Sequence, residues 1–431
     1  MRRKSIGLVL GALLFPAISV SAQDARTEGW PEFRGPMSSG HAPGERKVAT
    51  KWSENRNVTW KTAIPHAGWS TPVVWGDQVW LTTATEEGTE SDVLALDRNT
   101  GEVLHNARLF HTDSPEPLGN NVNGYASPSP AIEAGRVYLS FGSYGTACLD
   151  TKSFEIVWTR EDFECRHYRG PGSSLYLHDD TLYISFDGVD LQYLVALDKH
   201  TGETRWRTDR STVWDDWTEE GIPFRDGDMR KGFSTPVITQ VNGRPLLLSI
   251  ASKTLFGYDP ATGDELWKMS NPGHTPSTRP VLKDDVAFVM TGYSGTELRA
   301  VRLDGVGDVT ETHLKWSQTG SHLPDTPSPI LVGELLYTVS NRGIISALDP
   351  ESGEPVWNER IGGNFIASPV YAGGHLYFAS TQGKTTVLKP GRSFEAVAEN
   401  ELDEGLMASP AIAGDALFLR TKTHLYRIDK P

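Results

Sequence analysis

The chain has 431 residues, 38% hydrophobic and 22% charged, which is enough apolar surface for a sizeable core and excludes a compositionally disordered chain. Lys and Arg number 41 against 55 Asp and Glu, a formal charge of −14 that repels phosphate backbones and argues against nucleic-acid binding. Two cysteines are too few for a disulfide framework or a Cys-only zinc site.

Met1–Ala22 has a basic start, an apolar stretch from Ile6 to Val20 and the small residues Ser21 and Ala22 before Gln23. This pattern predicts a secretory signal cleaved after Ala22. Pro16 interrupts the apolar run, which is too short to span a bilayer comfortably. No cysteine lies near the cut and no other window is apolar enough to cross a membrane, so a periplasmic or secreted protein without a lipid anchor is expected. Cleavage removes Arg2, Arg3 and Lys4 and makes the chain still more acidic. Residues 23–51, rich in Gly, Pro and charge, read as an extended lead-in.

From residue 52 onward one pattern recurs. A small residue and Pro open it, two alternating apolar runs follow, and an Asp–turn–Gly–Glu and a Trp close it. Copies begin at Ser70, Ser129, Ser173, Ser234, Ser277, Ser328, Ala367 and Ala408. Asp150–Trp158, Asp198–Trp206, Asp259–Trp267 and Asp349–Trp357 share one spacing. The Asp carboxylate can cap the turn, Gly supplies a positive φ, and the Trp on the next strand fills the gap between neighbouring sheets. The fifth copy carries a longer last turn, Asp304 to Trp316, and the seventh lacks the Trp. Repeats of this length with four short strands each predict an all-β, eight-bladed β-propeller. The eighth copy ends at Pro431 without a fourth strand, while Asn57–Ala63 is an orphan strand ahead of the first copy. Pairing the two closes the ring and removes an open sheet edge, so 52–431 form one domain.

The run Asp198-Lys199-His200-Thr201-Gly202-Glu203-Thr204-Arg205-Trp206 resembles the tryptophan-docking repeat of pyrroloquinoline quinone (PQQ) dehydrogenases and their relatives. The opening Trp30-Pro31-Glu32-Phe33-Arg34-Gly35-Pro36 resembles the start of secreted PQQ-like propellers of planctomycete-type bacteria. A more distant likeness is to the propeller subunit of the outer-membrane β-barrel assembly machinery, which binds partner proteins and no quinone. The resemblance covers the whole propeller and implies its fold, but leaves function open. For an enzyme it implies PQQ with Ca²⁺ in the central funnel, taking a hydride from an alcohol or sugar, with a Glu and an Asn as metal ligands, an Asp base and an adjacent Cys-Cys disulfide. This chain has no Cys-Cys pair and no such ligand set that can be aligned residue by residue. Cys165 falls well past the residue expected opposite Cys148, which argues against their bridging. Asp226-Gly227-Asp228 lacks the further ligands of a calcium loop and reads as a solvated turn. No catalytic or metal residue is therefore assigned.

The connections from the fourth strand of one blade to the first of the next lie on one face and rim the funnel. They carry Trp69, Tyr125, His167, Tyr168, Arg169, Lys231, Phe233, His274, Arg279, His322, Asp325, Asn364 and Phe365. Arg169, Lys231 and Arg279 converging there would suit a small anionic or polyhydroxylated ligand. Alternatively these side chains plug the channel and satisfy one another. Two connections are longer, Phe110–Gly124 and Asp209–Lys231. The second carries Trp214, Asp215, Asp216 and Trp217, expected either to anchor a protein partner or to pack on the propeller itself. A monomeric binding or scaffolding propeller is the first expectation, and a quinoprotein oxidoreductase the second.

Overall fold

A computed structural model describes residues 28–119 and 122–430; the expected signal segment lies outside them. Eight antiparallel sheets follow one another along the chain. They are blades 1 to 7 at 73–111, 131–160, 176–209, 237–270, 281–318, 330–360 and 370–401, and blade 8 at 411–428. Val58–Ala63 pairs antiparallel with His424–Ile428 and supplies the eighth blade's outer strand, as the orphan-strand argument requires. Among the described residues no helix is long and apolar enough to cross a membrane. Both cysteines are buried free thiols, and Cys148 lies opposite Tyr138 and Trp158 rather than Cys165.

The Asp-to-Trp motif joins blades as well as turning strands. Asp198 Oδ1 accepts the backbone N–H of His200 and Thr201, and the equivalent Asp150 and Asp349 do likewise within their own turns. The Trp indole then reaches the next blade's turn: Trp158 donates to Lys199 O, Trp206 to Pro260 O and Trp316 to Pro350 O. Its ring rests on the next blade's turn glycine. A Cβ on Gly202 would lie 2.8 Å from the Trp158 ring, and one on Gly263 2.5 Å from Trp206. Each contact buries a large aromatic surface, worth on the order of 2–3 kcal/mol.

Two departures show the same rule. Blade 1 ends in His105 instead of Trp, and blade 2 places Phe154 (φ 61°) where the glycine belongs. The two rings stack 4.8 Å apart, so one substitution compensates the other. The longer turn of the fifth copy adds Gly307–Asp308 as a parallel fifth strand on blade 4, covering Trp267, which is fully buried.

At the axis the residue two positions before each blade's first strand carries a hydroxyl in seven of eight blades: Thr71, Ser129, Ser174, Thr235, Ser328, Ser368 and Ser409. The N–H of one donates to the hydroxyl of the next: Thr71 to Ser129, Ser129 to Ser174, Ser174 to Thr235, Ser328 to Ser368 and Ser368 to Ser409. This explains the small residue before Pro in the repeat. It closes an inter-blade bond where space is least and backbone donors have no strand partner. Blade 5 has Arg279 there. Its N–H joins the ring through Ser328, and its guanidinium donates to Pro236 O and Phe33 O while lying over the Tyr176 ring. At the junction of blades 8 and 1, buried Arg420 donates to Ser70 and Thr82. Burial pushes the pKa of both guanidiniums down.

The described part of the lead-in, from residue 28, runs as a strap that also penetrates the ring. Trp30 pairs with Val74, Pro31 O accepts from Ile132, and Tyr371 accepts from the N–H of Ala42 and donates to Gly40 O. Arg34, fully buried, donates to Ser328 O and Pro329 O. Phe33 thereby stands at the floor of the funnel, ringed by the hydroxyls. The strap crosses the face opposite the blade-to-blade connections.

Candidate functional site

The connection face opens into an axial cavity of about 750 Å³. Its floor is Phe33 with Thr71, Ser129, Ser174, Thr235, Ser368 and Ser409. Of the rim residues expected from sequence, Trp69, Arg169, Phe233, His274 and Asp325 line this cavity. Tyr125, His167, Lys231, Arg279, His322 and Asn364 do not. Tyr125 is buried against Tyr144 and donates to Glu116 O, Asn364 is exposed away from the cavity, and His322 packs beside Gly320.

The expected convergence of three cations is corrected by the geometry. Arg279 is spent on carbonyls at the axis. Arg169 makes a bidentate pair with Asp228 at 2.6 and 2.8 Å, which raises its pKa. Lys231 is 1% exposed and sits one layer behind the wall, its Nζ 2.8 Å from His167 Nδ1 and 4.9 Å from the Phe233 ring centre. Burial first, and the neighbouring lysine second, push the His167 pKa far down, and burial lowers that of Lys231. An anionic ligand therefore finds no unpaired cation among these three.

The carboxylates are likewise engaged. Asp325 Oδ1 accepts from Thr296, and its N–H donates to Asn341. Asp226 pairs with Arg166, which also holds Glu116, and Asp228 pairs with Arg169, so Asp226-Gly227-Asp228 is an ion-paired turn whose Asp226 side chain stays exposed to solvent. Arg166 ties both long connections to the shorter one between blades 2 and 3.

In the Asp209–Lys231 connection, buried Arg230 makes a bidentate bond to Asp216 and lies over both Trp214 (5.0 Å) and Trp217 (4.5 Å). This is the self-packed arrangement in part. Trp217 nevertheless remains 56% exposed, Asp215 faces solvent, and Val213, Ile222 and Phe224 nearby are also exposed.

Three exposed apolar residues also line the cavity: Val122 and Phe224, carried by the two long connections but not singled out within them, and Tyr293, which lies outside the connections altogether. Tyr293 comes from the hairpin between the second and third strands of blade 5, as Asn341 does in blade 6. In an antiparallel blade those hairpins share a face with the blade-to-blade connections, and that alternation was the available signal. Tyr293 packs edge-on against His274 (5.7 Å), and their backbones exchange two hydrogen bonds.

Fold and mouth together define a repeat propeller with one loop-rich, partly apolar face. The family model described as outer membrane protein assembly factor BamB matches residues 50–208 and 191–431, and the chain belongs to that PQQ-type repeat family. A BamB of Alkalilimnicola ehrlichii is 25% identical over 204 residues, 44% of this chain and 49% of that protein, so the match spans about half its length. Among solved structures, a europium-containing methanol dehydrogenase superposes with a TM-score of 0.69 at 10% identity, covering 94% of this chain and 98% of that one. BamB from Moraxella catarrhalis gives 0.57 at 12% identity, covering 86% and 99%. The quinohemoprotein alcohol dehydrogenase ADHIIG of Pseudomonas putida HK5 gives 0.63 at 13%, covering 95% and 81%. At such identities these likenesses show the fold.

A quinone held with a metal ion needs clustered oxygen donors and free cations for its carboxylates. Here Asp228 and Asp325 are engaged separately, and among the described residues no group of three or more His, Cys, Asp or Glu is placed to hold a metal. Without such a donor cluster, the funnel's side chains do not fit that pair.

Proposed function

We propose that this protein is a non-catalytic binding propeller of the periplasm or cell surface that docks a segment of a partner protein at the funnel mouth. One observation carries the reading: Val122, Phe224 and Tyr293 are exposed while lining the cavity, with Trp217 and Ile222 beside them, and the charged residues Arg169, Asp228 and Asp325 between them are bonded internally. An apolar rim around a cavity is what an inserted apolar side chain recognises, and aromatic anchors concentrate binding energy. The assembly-factor name carried by the matching family agrees with such a role.

A photo-crosslinking residue placed at 222 or 293 in cells should give a discrete protein adduct. The same residue at 37, on the strap face, should not, and Phe224→Asp should abolish the adduct. Equal crosslinking from both faces would sink the reading. A quinoprotein oxidoreductase acting on an alcohol or sugar makes the opposite forecast, calcium-dependent thermal stabilisation by micromolar PQQ.

A further inference from the structure

Behind the funnel wall, three loops of the connection face meet at one hydrogen-bonded chain. The backbone N–H of Ser143, in the hairpin of blade 2, donates to His167 Nε2 at 3.0 Å. That nitrogen therefore carries no proton, and a neutral imidazole must carry its proton on Nδ1. Nδ1 lies 2.8 Å from Lys231 Nζ. An N–H at Nδ1 can only donate, and an ammonium has no lone pair to accept it. Were Lys231 charged and donating, both ring nitrogens would have to accept, which requires an imidazolate. Cys165 Sγ, 3.8 Å from the same Nδ1, makes only a long contact as a weak sulfur acceptor beside the amine at 2.8 Å.

We propose that Lys231 is an uncharged amine at neutral pH, and that this amine–imidazole pair is a proton-operated latch joining the Ser143 hairpin, the 161–175 connection and the 209–231 insertion. None of the charged groups facing the pair is hydrogen-bonded to it, and Asp190 is the one carboxylate among them held by backbone N–H groups rather than by a cation. Asp187 is held by Arg210 at 3.0 Å; Asp190 accepts the N–H of Arg166 and Leu191; Glu116 is held by Arg166; Asp228 is held by Arg169; Tyr144 and the Cys165 thiol are neutral. Both members are fully buried, so neither can gain a proton without leaving its place. Opening the latch takes one proton from water onto Nζ at any pH below the ordinary lysine range, and a second onto the imidazole below about pH 6.5. The open population then rises about tenfold for each pH unit of acidification near neutrality, and about a hundredfold per unit below pH 6. Released, the loops would expose Cys165 and loosen Phe233, which walls the funnel.

The test uses Cys165 as reporter in the full chain carrying Cys148→Ser. Labelling with 4,4′-dithiodipyridine, corrected for the thiolate fraction, should accelerate about tenfold per unit from pH 9 to 7 and more steeply below 6. Lys231→Met should be flat from pH 9 to 7 and keep only the imidazole's tenfold slope at acid pH. A wild-type rate that is flat from pH 9 to 7 would mean Lys231 is already charged and would overturn the proposal. The Nζ resonance of wild-type Lys231 at pH 7 gives an answer that needs no variant: an amine shift supports the latch, an ammonium shift refutes it.

Discussion

Blades 6 to 8 and blades 2 to 4 are built from the same repeat but use it differently. In blades 6 to 8 the connections are short, the axial serines bond in sequence, and the mouth receives little beyond Ile366, Met407 and the hairpin residue Asn341. Around blades 2 to 4 the connections are long, cross-tied by Arg166, and rich in exposed apolar side chains. On the proposed function, the contrast puts stability and recognition at separate ends of each blade. The strap-side turns carry the Trp–Gly seams and the clasp, while the other face is free to accept insertions without disturbing them.

That separation can be broken from the stability side first. Trp267→Ala removes a wholly buried indole between blades 4 and 5 and should cost about 3–5 kcal/mol in chemical denaturation, without altering the mouth. Gly263→Ala should cost about 1–3 kcal/mol, because φ is +77° and the new Cβ meets the Trp206 ring. A Ser368→Ala change in the axial ring should cost about 1–2 kcal/mol by leaving the Ser328 N–H without its partner. On the recognition side, Ile222→Ala should change stability by less than about 0.5 kcal/mol while reducing the rim adduct. A loss of adduct accompanied by global destabilisation would show that rim and scaffold are not separable.

The fold was legible because its determinants are local and recur along the chain. Asp, Gly and Trp at fixed spacing dictate a turn and a seam without reference to distant residues, and Val58–Ala63 found its place by elimination. The site was legible only in part. Sequence order shows which connections share a face, and it brought Trp69, Arg169, Phe233, His274 and Asp325 to the mouth. It does not show which basic side chains are already engaged: Arg169 by Asp228, Arg279 by Phe33 O and Pro236 O, Lys231 by His167. Those pairings join residues tens to hundreds of positions apart and follow from three-dimensional packing. Phe33 was missed for the same reason, since a Gly- and Pro-rich lead-in gives no sign that it will thread to the axis.

The pairing of Val58–Ala63 with His424–Ile428 has a consequence in time as well as in space. Thr59 and Asp429 hydrogen-bond across 370 positions of chain. Every other blade is completed by neighbours close in sequence and can form on its own schedule. The circle, however, cannot shut until both ends are present together, so this one non-local step governs how fast the ring is finished. Once shut, the same pairing is the seam through which the ring must open, and unfolding is expected to begin by peeling that strand.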